Sequence, residues 1–458
     1  MTRMGFTRRR VIGNGAGGAA LIALAACGQA GGSSGQSGQA DQTAASGKIV
    51  WQARDPATYK AVADWAVGEF KKKYPNITVE ADQTSTGNFD KTITTLVAGS
   101  GPDILYGWGR LMVQYAAKGV VMNHNDLVKG MPAADVQDFV KTQWDGMVVP
   151  TTSFRYGIPN YVNLFMLYYN KTLFQSRGQK EPDDTWDHNT YATALKAMTF
   201  EQGGKQVYGG FGNLSIADRQ WHVRSFGGNF VDPKDLTKTG LGEGPAQQGM
   251  QWVYDRLYTD RSFAPIDGAK RTWTPNSQQD GFGQGVLATF EDGMDKLNPV
   301  AMRMAQGNEW NIMHMPKGPA GRNTLITTDA QAIWKNTKSK DAAWSFLQFL
   351  ASKEFYGYQA SSELLIPSRK SVFDTWMNAV KPKLQSSSPN FNFKVIQDAL
   401  NQTYPTVDQV FLCQQEAERV LNDALGAVLT RGEKPTSYFR DVANQINQAA
   451  GSCGAKFT

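Results

Sequence analysis

Trp108 stands between Gly107 and Gly109 at the end of an apolar run, with Arg110 beside it. Two glycines next to an indole let backbone approach closely and leave the ring uncovered. The segment thus offers a flat stacking surface beside a fork of hydrogen-bond donors. The competing reading is a ring packed over its own loop and an exposed arginine at a helix start. Arg54, Asp55 and Gln83 lie at the ends of two other apolar runs, and Asp55 is equally explained as a helix cap before Pro56. No catalytic constellation accompanies them. The chain has no G-x-S-x-G, H-E-x-x-H, phosphate-binding glycine loop or dinucleotide fingerprint. Its four histidines, His124, His188, His222 and His314, show no ligand spacing, so neither a metal nor a cofactor is expected. Glu291 and Asp292 could be imagined as a glycosidase pair. Neighbours on a strand point to opposite faces, so these two would not flank one bond.

The elements that must position these residues alternate between strand and helix. Lys48–Gln52 reads as a strand in which Trp51 faces the core. Pro56 then opens a helix with Tyr59, Val62, Trp65, Ala66 and Phe70 on its buried face. Lys71, Lys72 and Lys73 close it, where cations suit the helix dipole. Ile77–Glu80 is the next strand, Phe89–Ala98 the next helix and Asp103–Tyr106 the third strand. This order predicts a parallel sheet covered by helices. Ligands of such sheets bind outside the carboxyl ends of the strands, which selects the loops 53–55, 83–88 and 107–110.

The first 47 residues read as an address and a tether. Arg8, Arg9 and Arg10 precede a weakly apolar Gly/Ala run too short to span a bilayer. The doubled arginine is the mark of twin-arginine export, although a general secretory signal can also carry it. Leu24-Ala25-Ala26-Cys27 resembles the lipobox of bacterial lipoproteins, which implies removal of residues 1–26 and lipidation of Cys27. Residues 28–47 are almost wholly Gly, Ser, Gln, Ala and Thr. Such a segment is expected to be disordered, with a reach of roughly 25 Å. No secondary structure is expected before Lys48. The formal charge of +6 loses four arginines with the leader and falls to +2, so no nucleic-acid partner is indicated. With Cys27 assigned to the lipid, Cys413 and Cys453 remain as a pair in a compartment that permits a disulfide.

The body resembles the family 1 extracellular solute-binding proteins, the maltose-binding-protein-like receptors of ABC sugar importers. The segments that carry the resemblance occur in order: Thr95–Trp108, Tyr156–Phe174, Thr185–Asp187, Ser225–Val231, Phe282–Met294, Trp310–Gly318, Ala330–Glu354 and Ile366–Arg369. The resemblance implies an α/β, periplasmic-binding-protein-like fold of the second class, with two discontinuous lobes around a ligand cleft. One lobe would comprise residues 48–160 and 330–365, the other 161–329 and 367–458. It also implies a monomer that closes on a sugar or oligosaccharide and delivers it to a membrane permease. The alternatives are the same fold carrying another solute (glycerol phosphate, a polyamine or a peptide) and, from another class, a secreted carbohydrate-active enzyme.

A sugar site needs planar hydrogen-bonding groups at its rim and aromatic rings under the pyranose faces. On this basis the first lobe contributes Trp108, Arg110, Asp55, Arg54 and Gln83. The first crossover contributes Asn160, Tyr161 and Asn163, which are otherwise hinge hydrogen-bonders. The second lobe contributes Trp221 and Gly228 around a Gly-Gly loop, Trp273, and Asp292 at a strand end. Asp329 and Arg369 stand at the remaining hinges. Met294 and Asp295 follow Gly293 where the family often has an aromatic, so stacking from that loop is in doubt.

Overall fold

The computed structural model describes residues 45–54, 56–82, 89–212, 216–274, 277–455 and 457. The expected leader, Cys27, most of the expected tether, Asp55 and Gln83 lie outside these. Strand β1 (Gly47–Gln52) begins one residue before the expected position. It pairs in parallel with β2 (Ile77–Asp82) across helix Pro56–Lys73, and with β3 (Ile104–Trp108) at Trp51 opposite Ile104. Helix Phe89–Val97 connects β2 to β3. This first portion follows the local pattern of the sequence closely.

The parallel arrangement does not continue. β4 (Ile158–Asn170) is thirteen residues long, and twelve of them are buried. A strand covered on both faces reads as a continuous apolar run, as this one does. Two hairpins follow, β5 (Phe200–Gln202) with β6 (Lys205–Val207), and β7 (Val231–Asp232) with β8 (Asp235–Thr239). The remaining strands are β9 (Thr289–Gly293), β10 (Trp310–Met313), β11 (Thr324–Ile333), β12 (Ile366–Pro367) and β13 (Pro405–Val407). The main path of the large sheet runs β10-β4-β11-β3-β1-β2. β11 is antiparallel to β3 and β4, while β13 runs parallel to β11.

β4 changes partners midway. Leu164 and the residues before it face β11 and β12; Phe165 and those after it face β9 and β10. One strand therefore serves two halves of a two-lobed α/β fold. The first half packs Trp51, Phe70, Phe346 and Phe349 together. The second packs Tyr168 between Phe290 and Trp310. Residues 41–458 form one compact unit. Cys413 and Cys453 are joined by a disulfide. Among the described residues, no helix is long and apolar enough to cross a membrane.

Candidate ligand-binding site

Arg54 leaves the carboxyl end of β1, whose last turn of chain is tied to β2 by Ala53 N–H donating to Asp82 O at 3.0 Å. Its guanidinium lies over Tyr59 at 4.1 Å and Tyr161 at 4.5 Å, with Tyr106 at 6.0 Å. Burial works against this charge, but the tyrosines and Asp329 hold the group protonated. Tyr106 ends β3 and donates its hydroxyl to Asp329 Oδ1 at 2.8 Å, while Thr327 Oγ1 donates to Oδ2 at 3.3 Å. Asp329 stands opposite Trp108 in the β3–β11 register. Its carboxyl pKa is raised by burial, with Arg54 and the Tyr106 hydrogen bond opposing. Asn160 accepts from Gln359 Nε2 at 3.3 Å, and both line a small cavity with Arg54, Tyr59 and Glu363. Glu363 ends helix Lys353–Glu363, and burial pushes its carboxyl up to about 8.

The second half brings a matching set of acids. Asp292, on β9, accepts from Gln278 Nε2 at 2.6 Å, Gln279 Nε2 at 3.1 Å and Gly293 N–H at 2.8 Å. Burial raises its pKa to about 6, against the nearby Lys296 and with the help of Asp295. Asn163 Oδ1 accepts from the Asp295 N–H at 3.3 Å. Gly293 is required there, since a Cβ would come within 2.3 Å of Asn163 Oδ1. Met294 is buried against Tyr168 and offers no ring to a ligand.

Trp108 keeps an unusual position for a tryptophan: it is 38% exposed, one of three large hydrophobic side chains left open among the described residues. It is also the N-cap residue of helix Gly109–Ala117. Arg110, in the first turn of that helix, donates to Glu418 Oε1 at 3.1 Å and lies 3.8 Å from Asp408 Oδ2. Asp408 is buried, and this raises its pKa to about 6, with Arg110 opposing.

Several atoms of this group have no protein hydrogen-bond partner: Arg54 Nη1, both carboxylate oxygens of Glu363, Asp295 Oδ1 and Asp408 Oδ1. Buried polar atoms are nearly always paired, so each such group calls for an explanation. Glu363, raised to about 8, is mainly protonated at neutral pH and adds an O–H to the donor of Arg54, while Asp295 and Asp408 offer acceptors; a mixed set of this kind matches a molecule whose hydroxyls both donate and accept. Among the described residues, no group of three or more His, Cys, Asp and Glu is arranged to hold a metal ion.

Four predicted residues are placed elsewhere. Trp221 is fully buried and donates its Nε1–H to Glu291 Oε2 at 3.0 Å, so no face of its ring is open. Trp273 is also in the core, donating to Ser277 O at 2.8 Å. Gly228 lies against the backbone of helix Gly244–Tyr254, where a Cβ would be 2.5 Å from Ala246 N; close helix packing accounts for it. Arg369 spends its donors on Ala351 O, Asp135 O and Asp138 Oδ2 and stacks on Phe139 at 4.4 Å, which makes it a clamp near the hinge. Asp55 and Gln83 lie outside the described residues. A larger cavity of about 970 Å³, lined by Lys141, Asp145, Arg224, Pro367 and Lys370 among others, contains none of the predicted residues.

Sequence reasoning did not select Tyr59, Tyr106, Glu363 or Asp408 as site residues. Tyr106 had a signal, since it ends a strand beside Trp108. Tyr59 reads as one more core position of its helix. Glu363 and Asp408 carry no local signal at all.

The chain matches the family described as bacterial extracellular solute-binding protein over residues 51–356. A protein of Brucella abortus (strain 2308), described as a binding protein, is 24% identical over 371 residues, covering 78% of this chain and 86% of that one. An ABC substrate-binding protein of Listeria monocytogenes in complex with cycloalternan superposes with a TM-score of 0.73 at 18% identity, covering 88% of this chain and 99% of that one. The sugar-binding protein MalE of Xanthomonas citri gives 0.71 at 18% identity, covering 88% and 97%. At these identities the two structures speak for the fold, and the family match covers more than half of the chain. The chain belongs to the bacterial extracellular solute-binding proteins.

Proposed function

We propose that this protein is the receptor of an ABC importer for a sugar or oligosaccharide. Lobe closure would bind the ligand, and the closed form would be presented to the permease. The observation that carries the reading is the convergence of three tyrosines, the open Trp108 ring and buried carboxylates with unpartnered oxygens. Rings bind the weakly polar faces of a pyranose, and carboxylates accept from its hydroxyls. The neighbours with cycloalternan and the name "sugar-binding protein" support the same class of ligand.

The lobes are taken as residues 48–160 with 330–365, and 161–329 with 367–458. They would move by hinge bending, a shift between open and closed populations driven by differential affinity. The strand crossing at Leu164 and Phe165 favours a hinge close to this division. Cys27 would carry the lipid that holds a monomeric receptor at the outer face of the membrane, with residues 28–47 as its tether. Binding without catalysis fits the placement of Glu291 and Asp292, which face different partners and do not flank a common space.

Calorimetry against maltose, longer malto-oligosaccharides and a cyclic glucan, with spermidine and glycerol 3-phosphate as controls, tests the reading. A micromolar saccharide, about −8 kcal/mol, with no product formed on prolonged incubation, is the expected result. Binding of only the amine or the phosphate ester would replace the sugar with that solute.

A further inference from the structure

The helix that follows Trp108 does more than present Arg110. Along Gly109–Ala117, and at its C-cap residue Lys118, every fourth residue reaches toward helix Gln414–Leu425. Arg110 meets Glu418 at 3.1 Å. Gln114 donates from Nε2 to Glu416 Oε2 at 2.8 Å. Lys118 Nζ meets Glu416 Oε1 at 3.0 Å. The side-chain Oε1 of Gln114 accepts from the Gln415 backbone N–H at 3.0 Å. That N–H belongs to the first turn of its helix, where intrahelical partners are lacking, so Gln114 caps a helix of a different part of the chain. Glu416 lies in the same first turn, where an acid suits the helix dipole, and both of its oxygens are taken by the opposite helix.

The two helices belong to different bodies of the fold. Gly109–Ala117 packs on β3 and β11. Gln414–Leu425 packs on helix Tyr438–Ala450, which in turn packs on β8. Leu412 N–H donates to Leu236 O at 2.9 Å, and Cys413 N–H to Ala450 O at 3.2 Å. Cys413 is the N-cap residue of the clasping helix, and its disulfide to Cys453 fixes that helix end to the C-terminal segment. Beyond Cys453 the chain returns to the first body, where Phe457 packs on Phe154 at 5.8 Å between ring centroids. Phe154 adjoins Arg155, whose carbonyl oxygen accepts from His124 N–H at 2.9 Å; Met122 N–H, two residues earlier, donates to Ile333 O on β11 at 3.1 Å.

We propose that Gln114, Lys118 and Glu416 are positioning residues for ligand binding. They form, with Arg110 and Glu418, a polar clasp that holds the two lobes together before ligand arrives. The disulfide and the tail keep the clasping helix in register. The proposal rests on the reading that the protein works by lobe closure. The chemistry of the contact favours a reversible clasp. Lys118 and Glu416 are about one-third exposed, at 27% and 32%, so water can replace their pairing when the lobes part. Gln114 alone is fully buried. The clasp begins at Arg110, two residues from Trp108 and 3.8 Å from Asp408, so it sets the separation of the walls that face ligand. Apparent affinity scales with the fraction of receptor in the binding-competent form; a clasp that raises this fraction tightens binding without touching ligand.

The test needs no ligand. Spin labels at Lys60→Cys and Lys238→Cys, in the full chain carrying Cys27→Ser, report the separation of the two bodies by pulsed dipolar spectroscopy. Lys118→Glu and Glu416→Lys, singly, should each lengthen and broaden the distance distribution, and the double exchange should restore it. One molar salt should lengthen it in the parent protein and not in the single variants. Melting temperatures of all variants should stay within a few degrees of the parent. Once a saccharide is identified, each single variant should bind it at least about fivefold more weakly, with recovery in the double exchange. Unchanged distances in both single variants, or opening that the double exchange does not reverse, would overturn the clasp and leave the sugar reading untouched. Failure of every saccharide to bind would remove the sugar and leave the clasp standing on its distances.

Discussion

Two buried clusters in this protein share a composition, aromatic rings around a carboxylate, and differ in whether the carboxylate is satisfied. Glu291 takes the Tyr191 hydroxyl at 3.3 Å, Trp221 Nε1–H at 3.0 Å and His222 Nε2 at 2.8 Å, and His188 and Trp252 pack around that group. Both of its oxygens are occupied. The Arg54 cluster is also built on rings, Tyr59, Tyr106 and Tyr161, yet Glu363, Asp295 and Asp408 each keep a buried oxygen without a protein partner, and Arg54 keeps a nitrogen. Burial of an unpaired polar atom costs about 1–3 kcal/mol. The first cluster also leaves His222 Nδ1 and Trp252 Nε1 without a protein partner, but no carboxylate oxygen. The first cluster therefore reads as architecture and the second as a site, although Glu291 and Asp292 are adjacent in sequence.

The comparison is broken most directly by removing its satisfied centre. Glu291→Ala takes the acceptor from the buried Trp221 Nε1–H and His222 Nε2 and leaves the Tyr191 hydroxyl with Thr289 alone; it should lower stability by about 4 kcal/mol, read from urea unfolding, while the folded fraction keeps its ligand affinity. A small stability loss with lost binding would make Glu291 part of the site.

Acid should act on the buried histidines and on the site acids with opposite signs. Burial lowers His124 and His314 to about 4 and His188 to about 3, each below its unfolded value. Their contribution is complete above about pH 6.5 and is lost as pH falls through the folded values. Burial raises Asp292 and Asp408 to about 6, so these contribute stability below about pH 4 and lose it as pH rises through 6. Burial raises Glu363 to about 8, so it acts with these acids; the histidines keep a lead of less than about 1 kcal/mol, and ligand-free stability should fall only slightly between pH 6.5 and 4.5. Urea titrations at the two pH values check the sign; higher stability at pH 4.5 would mean that the acids dominate.

Asp408→Asn keeps the shape and removes the charge of an unsatisfied group. Saccharide affinity should drop by about 2 kcal/mol, roughly thirtyfold, with the melting temperature unchanged or slightly higher at pH 7.4. Undiminished affinity in calorimetry would detach Asp408 from the ligand. The smallest effect is expected at Trp108→Ala, about 1.5 kcal/mol of binding. Its ring is already 38% exposed, so the same variant should unfold at the parent temperature. A large drop in melting temperature would return Trp108 to the core.

The first three strands and their helices were legible in the sequence to within a residue or two, because each rests on local spacing and on Pro56, Asn76 and Gly99–Pro102 as punctuation. The antiparallel insertion of β11 between β3 and β4 was not, since pairing partners more than a hundred residues apart leave no local period. The same division runs through the site. Trp108, Arg54 and Arg110 could be found from strand ends and flanking glycines. Trp221 and Trp273 could not be told from ligand-facing tryptophans, because a loop position does not say which way a ring turns. Glu363 and Asp408 were invisible, one at a helix end and one after a three-residue strand.

What the sequence by itself determined is class: an α/β body with no catalytic motif and ordered segments that identify the family. These depend on local order along the chain and survive inspection one window at a time. Tertiary structure alone decided which carboxylates are satisfied. It set Glu291 against three donors and Asp408 against one arginine, and it joined helix Gly109–Ala117 to helix Gln414–Leu425. The reason is physical. Whether a buried polar atom finds a partner depends on residues brought close by folding, and in this chain those partners lie up to about three hundred positions apart.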